Sequence, residues 1–264
     1  MKSLIKIALL FFVISFSSCK VETYTGSWAE KTVVAESNDD NVFKNPLRFY
    51  NQETHLQYTI LNDNKNIYIY IKATEQLVQL KIIKSGILIK LDTNGNTKYQ
   101  SSMLYPIQDK ANKASIAPPK DWDTFVSRFP YDHAYMGING FKTITDEEYP
   151  ILNNKNISVK MSWDSIGVLR YKAIIPFVEF YKDSLSSNDI NKNIGISILL
   201  KQLTQPTDPK NAPVSTANSN YSEHLQQRGN AKSGYNVEPQ MNETQAYLYN
   251  IKSMRCNYTL TLKN

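Results

Sequence analysis

Trp122 stands in a charged setting, with Lys120 and Asp121 before it and Asp123 after it. An exposed aromatic ring stacks on the apolar face of a pyranose, and neighbouring carboxylates accept hydrogen bonds from the hydroxyls. Trp122, Asp121 and Asp123 are therefore the candidate ligand-binding residues. The other two tryptophans read as packing groups. Trp163 shares strand parity with Val159 and Met161, and Trp28 is an anchor near the start of the folded part.

The remaining chemistry-bearing residues fall into no catalytic or metal-binding pattern. Asp92-Thr93-Asn94-Gly95-Asn96 superficially looks like a calcium loop. It lacks the further oxygen ligands and the distal Glu of that pattern, so it reads as a hairpin turn. Asp146-Glu147-Glu148 reads as a solvated acidic loop, and His55, His133 and His224 lack metal-ligand spacing. There is no Gly-x-Ser-x-Gly element. A carboxylate pair for glycoside hydrolysis is assembled only by the fold, and no sequence feature nominates one. The reading is non-enzymatic, with no catalytic residue, metal or cofactor.

The elements that must position these residues are mostly strands. Leu56-Tyr58-Ile60 and Ile67-Ile69-Ile71 alternate with a period of two, and the turn formers Asn62-Asp63-Asn64-Lys65-Asn66 lie between them. This predicts a hairpin. Leu77, Leu80 and Ile83 follow at helical spacing, with Thr74 placed to cap the helix and Gly86 to stop it. Ile87-Ile89-Leu91 then leads into Asp92-Thr93-Asn94-Gly95, read as a tight turn, with a partner strand over 98–104. Further strands are expected at Ile157-Val159-Met161-Trp163, over 168–175, at Ile194-Ile196-Ile198-Leu200 and over 254–262, with Asp164-Ser165-Ile166-Gly167 as another turn. Residues 107–155 read as a long loop excursion, partly ordered by Trp122, Phe125, Phe129 and Tyr131. Residues 203–245 are rich in Thr, Pro, Asn, Ser and Gln and read as a mobile loop. The fold class expected is mostly β: an antiparallel β-sandwich in one domain, residues 27–264, with one short helix.

The first residues have a different logic. Lys2 and Lys6 precede the apolar run 7–16, and Ser17-Ser18-Cys19 follows. That order is a secretory signal peptide, and the run is too short for a membrane span. Phe16-Ser17-Ser18-Cys19 resembles the bacterial lipobox, which implies lipidation of Cys19 and removal of residues 1–18, with residues 19–26 as the tether. Cys256 would then be the one other cysteine, and an intramolecular disulfide is excluded. It shares parity with Tyr258, Leu260 and Leu262 and reads as a small buried hydrophobe. The formal charge of +6 falls by two with the leader, and no basic run with interleaved aromatics occurs. Nucleic acid is therefore not an expected partner.

Leu56-Gln57-Tyr58-Thr59-Ile60, Asn62-Asp63 and Asn66-Ile67-Tyr68-Ile69 together resemble a segment of the family 9 carbohydrate-binding modules and their DOMON-like relatives. The hairpin after Gly86 and the strand from Asp164 to Phe177 resemble later pieces of the same family, with Lys172 where an acidic residue is usual. Ile194–Leu200 matches the strand that follows. The likeness covers about residues 27–202 and the final strand, and looks closest to lipoproteins of Bacteroidetes-type bacteria. It implies a jelly-roll type sandwich and a carbohydrate partner. DOMON-like relatives can hold haem through Met and His; here Met103, Met136 and Met161 read as core or loop residues. The leading expectation is an outer-membrane lipoprotein of the cell envelope, its face undecided, with a non-catalytic domain recognising a glycan. A structural or protein-interaction lipoprotein that meets an envelope protein, and a glycan-processing hydrolase, are the alternatives.

Overall fold

The computed structural model describes residues 21–30, 41–95, 98–107, 120–154, 157–204 and 243–263. Cys19, His224 and the greater part of the 203–245 segment lie outside the described residues. Twelve strands fall among the described residues: β1 (Glu22–Thr25), β2 (Phe49–Asn51), β3 (Leu56–Asn62), β4 (Asn66–Ala73), β5 (Ile87–Asp92), β6 (Ser101–Tyr105), β7 (Tyr135–Asn139), β8 (Glu148–Pro150), β9 (Ser158–Trp163), β10 (Leu169–Pro176), β11 (Asn193–Leu200) and β12 (Lys252–Thr259). They form two sheets. One has the order β1-β12-β11-β5-β6-β7-β8, the other β2-β3-β4-β10-β9. Every pairing is antiparallel except β1 with β12. The protein is a mostly β, two-sheet sandwich with few short helices.

Alternation decides which face each strand buries. Ile67, Ile69 and Ile71 from one sheet meet Ile87, Ile89, Ile194, Ile196 and Ile198 from the other in a single core. Met103, Met136, Met161 and Cys256 lie in that core too. The opposite face of the five-stranded sheet is also covered: Tyr68, Tyr70 and Ile174 pack under Ala29, Phe43 and Leu47. Residues 27–29 run beside the end of β3, where Trp28 bridges to Asn62.

The turns show why the hairpins close. The Asp63 carboxylate accepts from the backbone N–H groups of Lys65 and Asn66, which ties the β3–β4 turn. Asp164 does the same for Ile166 and Val168 ahead of β10, and Gly167 there has φ 79°. Burial opposes ionisation of Asp164, yet these N–H donors and Arg170 hold its carboxyl below the usual range. The β5–β6 connection is wider than a tight turn. Leu91 pairs with Ser101, so residues 92–100 separate the last paired residues. Asp92 turns back locally, accepting from the Asn94 N–H.

The helix Gln76–Ser85 ends at Gly86, whose N–H donates to the Ile82 carbonyl at φ 76°. A Cβ at Gly86 would lie 2.3 Å from the Pro106 carbonyl oxygen. Gly86→Ala combines left-handed strain with that clash and should lower stability by about 2 kcal/mol or more in chemical denaturation. The N-cap is Glu75 rather than Thr74, and its side chain makes no cap hydrogen bond.

The 107–155 region is more regular than its composition suggests. It contains the helix Trp122–Asp132 and strands β7 and β8. Leu203 is buried and Glu243–Tyr249 is a helix, so both described ends of the 203–245 segment are folded onto the domain. Among the described residues, no helix is long and apolar enough to cross a membrane.

Candidate functional site

Trp122, Asp121 and Asp123 open a helix. The Asp121 carboxylate accepts from the backbone N–H and the hydroxyl of Thr124, the bonds expected of an N-cap. The Thr124 hydroxyl and N–H hold the Asp121 carboxyl below its ordinary range. Asp123 is exposed in the first turn. Trp122 is half-buried and meets Trp163 edge-on at 5.5 Å, with Phe125 and Phe129 completing the cluster. The indole N–H of Trp163 donates to Gln79 Oε1, whose amide group donates to the carbonyls of Ala73 and Gly167. Trp122 thus closes an aromatic cluster that clamps its helix onto β9. Trp122→Ala should lower stability by about 2 kcal/mol in a denaturation curve, because a half-buried indole loses ring contacts and leaves a hole.

A cleft of ≈ 420 Å³ lies elsewhere, lined by His55, Glu75, Leu77, Glu243, Thr244, Ala246, Tyr247 and Lys252. Register explains its position. Gln57 at the start of β3 pairs with Lys72 near the end of β4, and Lys252 at the start of β12 pairs with Leu200 at the end of β11. These strand ends meet at one end of the sandwich. The helices Gln76–Ser85 and Glu243–Tyr249 wall the cleft there. Trp122, Asp121 and Asp123 are not among its lining residues.

His55 has φ 55°, and its Nδ1 lies 3.0 Å from both Glu75 carboxylate oxygens. A carboxylate on one ring nitrogen fixes the orientation of an imidazole. The missing side-chain cap bond at Glu75 is thus explained: its carboxylate serves the histidine. The His55 ring centroid is 5.2 Å from that of Tyr247. Tyr247 is 7% exposed and its hydroxyl donates to the Thr54 carbonyl, so the phenol is a fixed wall. Burial, then the Glu75 charge, pushes this phenol up.

The wall helix is held from beneath by Lys81, which is 0% exposed. Its ammonium donates to the carbonyls of Tyr247, Leu248 and Asn250, all at the C-terminus of the helix Glu243–Tyr249. Helix ends leave such carbonyls without partners, and a cation there also complements the helix dipole. Burial, then the nearby Lys252 charge, brings Lys81 down to about 8. Leu248 and Tyr249 pack with Leu203 and Leu77, so the helix is fastened by both polar and apolar contacts.

The sequence did not single out this group, because its members come from positions near 55, 75, 243 and 252. Helical spacing around Leu77 and the acidic residue before it were the available signals.

No protein-family model and no curated protein matches the chain. Among solved structures the chain is similar to a family 9 carbohydrate-binding module from Caldicellulosiruptor kristjanssonii in complex with glucose. The TM-score is 0.32 and the identity 10%, over 73% of this chain and 83% of that one. A structure of a family 9 module from the same organism in complex with cellotriose gives a TM-score of 0.31 and 12% identity, over 72% of this chain and 80% of that one.

Proposed function

We propose that this chain is an exported lipoprotein, cut before Cys19 and held at the outer membrane by acyl chains on that cysteine. Residues 19–26 are its tether, and the sandwich is a non-catalytic domain that binds carbohydrate in the cleft beside Tyr247. The basic start, the apolar run 7–16 and Ser17-Ser18-Cys19 support export and anchoring.

The cleft carries the ligand reading. Its volume of ≈ 420 Å³ is within the range of small-molecule sites, about 300–1,000 Å³. Its wall alternates groups suited to a sugar. Glu75 and Glu243 accept hydroxyl hydrogen bonds, Lys252 donates them, and Thr244 does either. Leu77 and Ala246 offer apolar surface to the C–H face of a pyranose.

The test is a glycan array probed with the full-length chain purified in detergent. Reproducible binding to one saccharide class, weakened in Glu243→Gln, is the expected result. A blank array with a folded protein would overturn the carbohydrate reading and favour an envelope protein as partner. Mass spectrometry of the mature N-terminus tests the anchor separately. A diacylated or triacylated Cys19 is expected, and an intact leader or an unmodified cysteine contradicts it.

A further inference from the structure

We infer that the cleft selects a saccharide carrying a free ammonium group, with Glu75 and Glu243 as its acceptors and the Tyr247 ring as its aromatic wall. The inference rests on the cleft reading above and narrows it to one ligand class.

Three observations carry it. First, two carboxylates line the cleft from separate helix starts, Glu75 before Gln76–Ser85 and Glu243 opening Glu243–Tyr249, against the single ammonium of Lys252. Lining carboxylates thus outnumber lining ammonium groups, with His55 on Glu75 and the buried Lys81 behind the Tyr247 ring. A uronic acid would be repelled by these carboxylates, and a neutral sugar meets them only through hydroxyl hydrogen bonds. Second, the Tyr247 ring already engages two ammonium groups. Lys81 Nζ is 5.2 Å from its centroid and Lys252 Nζ is 5.7 Å away. Both lie within the distance over which a cation is drawn to an aromatic face. Lys81 is buried, whereas Lys252 lines the cleft and is only half-buried. Third, the His55 Nδ1 contact holds the Glu75 carboxylate beside the ring that His55 faces, so acceptor and aromatic wall are fixed relative to each other. An incoming ammonium that displaces Lys252 from this wall meets carboxylates and an aromatic ring together. Lys252 is its built-in competitor.

The experiment is calorimetry on the full-length chain in detergent, with equal-length oligomers of glucosamine, N-acetylglucosamine, glucose and galacturonic acid. Glucosamine oligomers should bind about tenfold more tightly than their acetylated counterparts, the effect of one charge-assisted hydrogen bond. Glu243→Gln should lower glucosamine affinity by about that factor and the neutral oligomers by much less. Lys252→Met should raise glucosamine affinity severalfold while weakening the neutral oligomers, which lose its hydrogen bond. Equal affinity for charged and neutral sugars, or a preference for galacturonic acid, would overturn this inference and leave the carbohydrate reading standing. Absence of binding to all four oligomers, with the protein folded, would count against both.

Discussion

Replacing Lys81 by Met should destabilise the protein by about 2–4 kcal/mol, the cost of leaving backbone carbonyls without their donor. The side chain is fully buried and its ammonium serves three backbone carbonyls, those of Tyr247, Leu248 and Asn250. Met matches the length of the chain but donates nothing. The Leu248 carbonyl would keep the Leu203 N–H, but those of Tyr247 and Asn250 would lose this donor, and a buried unpaired acceptor costs roughly 1–3 kcal/mol before relaxation. The measurement is the denaturation midpoint in urea with an unchanged slope. The same helix carries Glu243, Thr244, Ala246 and Tyr247 into the cleft. Ligand affinity should therefore fall in this variant even at temperatures where it remains folded. A loss under 1 kcal/mol would show that the helix is held by Leu248, Tyr249 and Leu203 alone.

The second large effect is alkaline unfolding. Burial pushes the phenols of Tyr105, Tyr171 and Tyr258 far above their ordinary value of 10.0, and the Cys256 thiol up to about 12. These groups stay neutral in the fold, whereas the unfolded chain ionises them near their ordinary values. Their contribution is therefore complete below pH 9 and is lost as pH rises. Each phenol should remove roughly 1.4 kcal/mol per pH unit above 10. Lys81 acts in the opposite sense. Its proton is held less tightly in the fold, so between about pH 8 and 10.5 its share of stability rises with pH. Stability, read as the urea denaturation midpoint, should be nearly level up to pH 9 and then fall steeply beyond 10. A midpoint that stays level from pH 9 to 11 would contradict this.

Local chemistry made much of the fold legible. Period-two alternation marked β3, β4, β9, β10, β11 and β12, because each buries one face against the opposite sheet. Asp63 and Asp164 signalled turns through carboxylates that bond to their own following N–H groups. Cys256, 1% exposed, sits at the parity the sequence implied. The Trp122–Asp132 helix was hidden by Pro130, which lies inside it, and by the Pro-rich stretch before it. Its signal was present in Trp122, Phe125 and Phe129 at spacings of three and four behind the N-cap Asp121. The Asn94-Gly95 pair suggested a tight turn, but the pairing of Leu91 with Ser101 requires a longer loop. The cleft was not legible, because His55, Glu75, Glu243 and Lys252 are joined only when the ends of β3, β4, β11 and β12 converge.

The most direct test of the central claim is an NMR titration of the isotope-labelled full-length chain with whichever saccharide the array identifies. Binding in the cleft should shift the amide signals of Leu77, Thr244, Ala246, Tyr247 and Lys252, and leave those of Thr124 and Phe125 in place. Shifts confined to the helix that Trp122 opens, with the cleft amides unmoved, would place the ligand at the aromatic cluster and contradict the account.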